Sequence, residues 1–151
     1  MKKINLCYLF FIMLIFMNGC GYTPIYSISN FDIKLNQIDY TPNILNKQIA
    51  QTLSTLSSPS GTKEYDIKIN TLKEKNIVSK NSKGETITFE KKIILELEIF
   101  NEEIQHNKIF SSKIRYNNND NKFELNQYEI EIEKQIINDL IEEIILFFSS
   151  L

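Results

Sequence analysis

Residues 85–101, "ETITFEKKIILELEIFN", decide the fold. Ile87, Phe89, Ile93, Leu95, Leu97 and Ile99 fall on one side of a period of two, with Thr88, Glu90, Lys92, Glu96 and Glu98 on the other. Such alternation predicts a strand with one dry face and one wet face, in an antiparallel sheet covered on a single side. Two residues break the pattern. Lys91 is a charge on the apolar side, and Ile94 is an apolar residue on the polar side. Leu95 and Leu97 should face covering helices and meet residues such as Leu53 and Ile141.

Upstream, "KNSKGE" (80–85) predicts a hairpin turn, with Gly84 free to take a positive φ. "EYDIKINTL" before it alternates through Tyr65, Ile67 and Ile69, a second strand. Before that the period changes. Leu45, Ile49, Leu53 and Leu56 in "TPNILNKQIAQTLSTLSS" (41–58) recur at helical spacing, with Thr41 expected as N-cap and Pro42 in the first helical position. "NFDIKLNQIDY" (30–40) sets Phe31, Ile33 and Leu35 against Asp32, Lys34 and Asn36, another half-buried strand.

Downstream, "NEEIQHN" (101–107) reads as a polar turn that includes His106, and "KIFSSKIRY" (108–116) as a strand with Phe110, Ile114 and Tyr116 on one side. After the asparagine-rich "NNNDN", residues 122–151 end as a helix. Its stripe is Ile130, Ile137, Leu140, Ile141, Ile144 and Phe148. Asn126 and Glu129 have the spacing of a capping box, although Tyr128, Ile130 and Ile132 alternate like a strand and leave the start of the helix open. The fold class is therefore α+β: a two-layer sandwich of a four-stranded mixed or antiparallel sheet with two helices on one face, in the order β-α-β-β-β-α. The last three strands form a meander, and the place of the first in the sheet stays open.

The chain has 151 residues, 42% hydrophobic and 24% charged, which suits one domain. Its net charge of -2 offers no basic field for nucleic acid. Residues 1–19 read as a signal peptide: Lys2 and Lys3 precede an apolar run from Leu6 to Met17, too short to span a bilayer. An uncleaved anchor is the plain alternative. "MNGC" (17–20) resembles the lipobox of bacterial lipoproteins, with Gly19 in the small-residue position and Cys20 as the lipidated residue. Met17 and Asn18 depart from its usual pattern, and an ordinary signal peptide with an incidental cysteine is the rival reading. Two or three acyl chains, at about 0.8 kcal/mol per buried CH₂, would anchor the protein firmly. Cleavage would leave a lipidated tether over 20–29, a domain over 30–151, no second cysteine and hence no disulfide.

Catalysis is not expected. His106 has no cysteine or second histidine to complete a metal site or a triad, the four glycines make no phosphate loop, and nothing calls for a cofactor.

The whole mature chain resembles the lipopolysaccharide-assembly lipoprotein family LptE. The signature after the lipidated cysteine stands here as Cys20-Gly21-Tyr22-Thr23-Pro24-Ile25-Tyr26, and "NILNKQIAQTL", "LSSPSGTKEYDIKI", "SKIRYN" and "IEEIILFFSS" follow in register. The isoleucine-rich last helix departs from the family's alanine-rich one. The resemblance implies a four-stranded sheet with two helices on one face. It also implies an outer-membrane lipoprotein that plugs the lumen of the β-barrel LptD and helps pass lipopolysaccharide to the cell surface. Gly21, where inner-membrane retention would favour Asp, agrees with the outer membrane. Contacts to lipopolysaccharide phosphates or to the partner would come from Lys92, Lys108, Lys113 and Arg115, with Ile94 beside them. The plainer reading of those cations is solubility on a wet face. The rival function is a lipoprotein adaptor of another envelope transport complex; a lipid-attached hydrolase lacks its catalytic groups.

Overall fold

The alternation around Leu95 builds the centre of the sheet. A computed structural model describes residues 32–102 and 104–151. In chain order these form β1 (Ile33–Tyr40), α1 (Ile44–Leu56), β2 (Lys63–Lys80), β3 (Thr86–Phe100), β4 (Gln105–Asn117) and α2 (Lys122–Ser149). The sheet order is β1-β2-β3-β4; β2, β3 and β4 pair antiparallel, and β1 joins the edge of β2 in parallel. A parallel neighbour needs a crossover, and α1 supplies it. The signal peptide, the tether and Cys20 lie outside the described residues.

One face of the sheet carries the core. Tyr65, Ile67 and Ile69 of β2, with Ile93, Leu95, Leu97 and Ile99 of β3, are buried in one cluster with Leu53 of α1 and Leu140 and Ile141 of α2. Leu95, Leu97 and Leu53 are fully buried, and each such side chain contributes about 1.5–3 kcal/mol relative to exposure. Ile87, assigned to the dry face, is 45% exposed, because the β2–β3 hairpin runs on past the cover.

β1 keeps its predicted phase only to Leu35. A bulge between Leu35 and Gln37 inserts one residue, so Ile38 and Tyr40 pair with Ile67 and Ile69 and return to the covered side. Strict alternation could not show this. The helix starts also move from their expected places. The N-cap of α1 is Asn43, which accepts from Asn46 N–H at 2.7 Å; Thr41 and Pro42 precede it. Asn121 caps α2, accepting from Phe123 and Glu124 N–H and donating back to the Glu124 carboxylate at 2.9 Å. The working box is therefore Asn121–Glu124, not Asn126–Glu129, and both of the latter lie inside the helix. The cap lies five residues earlier than Asn126, and the buried stripe differs from the expected one: Ile132 and Ile136 are buried, and Ile130 is 43% exposed.

Gly84 takes φ 83° in the β2–β3 turn, as its sequence context predicted. Gly61 is constrained by space instead. A Cβ there would stand 2.6 Å from the Ile33 carbonyl carbon and 2.7 Å from Lys34 N, both backbone atoms. Gly61→Ala should therefore lower stability by about 1–3 kcal/mol, read as the urea midpoint. An unchanged midpoint would mean that the turn gives way freely.

Candidate functional site

Among the described residues, nothing covers the face opposite the helices, and that face is charged. β2 contributes Lys68, Asn70, Leu72 and Glu74, opposite Glu98, Glu96, Ile94 and Lys92 of β3. β4 continues these rows with Asn107, Ile109, Ser111 and Lys113, and Arg115 stands opposite Glu90 in the next one. Cross-strand partners meet across this face. Lys68 pairs with Glu98 at 3.0 Å, and Asn70 donates to Glu96 at 3.3 Å. Glu90 receives Arg115 Nε at 2.9 Å and Lys113 Nζ at 3.6 Å. The Arg115 hydrogen bond, aided by the charges of Lys113 and Arg115 and opposed by burial, holds the Glu90 carboxyl below its ordinary value. Ile94 is not alone among the polar groups. Leu72 beside it is 57% exposed and Ile109 is 62% exposed, so a small apolar patch sits amid the charges.

Of the residues singled out in the sequence, Lys92, Ile94, Lys113 and Arg115 share this open face. Lys108 does not. It pairs with Leu97 in the register, on the helix side, and its ammonium lies 5.6 Å from the centroid of the Phe147 ring of α2. His106 is not in a turn but in β4, opposite Ile99 and exposed. The role of Cys20 falls outside the described residues.

A second cluster was not foreseen. Lys91, the odd charge on the apolar side, is 6% exposed. Its ammonium donates to the Glu129 carbonyl at 2.9 Å and to the Glu133 carboxylate at 3.2 Å. Lys73 reaches Glu133 at 3.0 Å, Lys75 reaches Glu129 at 2.6 Å, and the Tyr116 hydroxyl donates to Glu129 at 2.9 Å. Burial alone would raise both carboxyl pKa values. Lysine and tyrosine donors outweigh it and hold Glu129 and Glu133 below the ordinary glutamate value. Burial, with the hydrogen bond to Glu129 and its charge, pushes the Tyr116 phenol well above the ordinary tyrosine range. The cluster fastens the N-terminal half of α2 to the sheet. Its sequence signal was legible: one out-of-phase lysine, and two glutamates four apart on a helix. With both carboxylates already held by lysines, the arrangement is structural. Among the described residues, no group of three or more His, Cys, Asp or Glu is placed to hold a metal ion.

No known protein-family profile and no curated protein matches the chain. Solved structures do. The crystal structure of rare lipoprotein B from Shewanella oneidensis superposes with a TM-score of 0.56 at 11% identity, over 76% of this chain and 94% of that one. The solution structure of lipoprotein B from Nitrosomonas europaea gives 0.53 at 14% identity, over 77% and 84%. The chain shares the α+β fold of these lipoproteins.

Proposed function

We propose that this protein is an outer-membrane lipoprotein of the LptE type, a non-catalytic partner and plug of the LptD barrel in delivering lipopolysaccharide to the cell surface. The observation that carries the reading is the sheet face of charge and amide pairs that no described residue covers; the lipobox-like "MNGC" upstream of the domain supports it. A plug in a polar lumen needs such a wet surface, because groups like Glu96, Glu98 and Lys92 can pair with lumen side chains and ordered water. The fold shared with solved lipoproteins supports it, as does the Cys20–Tyr26 signature. A domain of about 120 residues has a radius of gyration near 14 Å, which calls for a barrel wider than the porins.

Lipid attachment is tested first. Cys20→Ser should abolish palmitate labelling and release the protein from membranes; labelling that persists would exclude Cys20 as the lipidated residue. The partner is tested by crosslinking in cells, with a photoreactive residue at Ile94 or Lys92. Adducts to a barrel-forming outer-membrane protein are expected. No adduct, with surface lipopolysaccharide and LptD assembly unchanged after depletion, would favour the adaptor of another transport complex.

A further inference from the structure

The two edges of the sheet are built differently. β1 is 8 residues long and is interrupted by its bulge. β4 is 13 residues long and pairs with β3 in one unbroken register. Short, bulged edges resist strand addition, whereas long regular ones invite it. Two rungs fix which backbone groups of β4 face outward: Asn118 N–H donates to Ile87 O at one end, and Ile104 O accepts from Asn101 N–H at the other. Both put the hydrogen-bonded pairs on the even-numbered residues of β4. Antiparallel pairing alternates, so the N–H and C=O of Ile109, Ser111, Lys113 and Arg115 point away from β3. Among the described residues no further strand lies beyond them.

The side chains at this edge have one sign. β4 carries Lys108, Lys113 and Arg115 and no carboxylate. Lys113 and Arg115 share the single Glu90 and keep side-chain exposures of 58% and 63%. A second copy of β4 would bring like charges together, so self-pairing is disfavoured. An acidic strand would gain both the backbone ladder and the charge.

We propose that the outer edge of β4 is a docking seat for an extended segment of a partner protein. That segment adds as a fifth strand and places carboxylates opposite Lys113 and Arg115. Main-chain hydrogen bonds supply the affinity, and the alternate acidic side chains supply the choice of partner. The seat does not depend on the partner being a barrel, so it stands or falls separately from the plug reading.

The experiment uses the full-length protein in detergent, with a synthetic peptide of about ten residues alternating Glu and Val, and its Lys-and-Val counterpart. Amide hydrogen exchange is read residue by residue. The Glu peptide should slow exchange at Ile109, Ser111, Lys113 and Arg115 by about tenfold or more. Phe110, Ser112 and Ile114, already bonded to β3, should change little, giving a period of two. The Lys peptide should do nothing. Ser111→Pro removes an outward N–H that β3 does not use, so it should keep the cooperative melt and lose the response. A Lys113→Glu, Arg115→Glu variant should reverse the preference, toward the Lys peptide. Equal protection by both peptides, no protection by either, protection already complete without peptide, or no reversal in the charge-swapped variant would each overturn the proposal.

Discussion

Leu95→Ala is expected to lower the stability of this protein by about 2–5 kcal/mol, and Glu96→Ala, one residue on, to leave it within about half a kcal/mol. Leu95 is fully buried, in one cluster with Leu53 of α1 and Ile141 of α2. Its truncation forfeits the transfer free energy and opens a cavity that two helices pinned to a sheet cannot fill. Glu96 points the other way, is exposed, and holds only a 3.3 Å bond from Asn70. Urea unfolding of the two variants gives the comparison directly. If Glu96→Ala proved the worse, the covered face would be misassigned, and the proposed interface with it.

Removing the anions beneath Lys91 has a comparable effect. The double variant Glu129→Gln, Glu133→Gln keeps shape and hydrogen-bond acceptors but leaves Lys73, Lys75 and Lys91 without a countercharge. Breaking a buried pair from one side costs about 3–5 kcal/mol. The two carboxylates keep side-chain exposures of 15% and 22%, which places the expected loss near about 3 kcal/mol. Lys91→Met should be far milder, within about 1 kcal/mol, because it removes the most buried charge and leaves each glutamate its own surface lysine. The same groups set an acid limit. Glu129 and Glu133 titrate below the ordinary 4.5 in the folded protein. Depressed folded values contribute stability that is complete above about 4.5 and is lost as pH falls through them. Urea midpoints from neutral pH down to about pH 3 should therefore fall more steeply for the parent than for the double variant. Parallel curves would show that other groups govern the acid transition.

Much of this was readable from residue order. The alternation of 85–101, the period change after Tyr40, and Gly84 in its polar turn each encode a local choice, made by which side chains can share a face and which φ a residue tolerates. They were enough for the two layers, the meander and the covered side. The candidate interface was legible to the same depth: Lys92, Ile94, Lys113 and Arg115 came together because strand parity puts them on the wet face.

Tertiary structure decided what parity and spacing could not. Pairing with β2 set the bulge after Leu35, returning Ile38 to the core, and placed β1 in parallel at the edge. Asn121, rather than Asn126, begins α2 because there its side chain reaches two free N–H groups and its own amide reaches Glu124. Lys108 left the other cations because its parity puts it on the side of Phe147. Lys91 was a visible anomaly in the sequence. It became a buried anchor only when α2 brought Glu129 and Glu133 against it, from 38 and 42 residues away. Patterns of two and 3.6 residues report which face a side chain occupies. What stands opposite that face is set by long-range packing, and a charge can be buried only where that packing delivers its counterion.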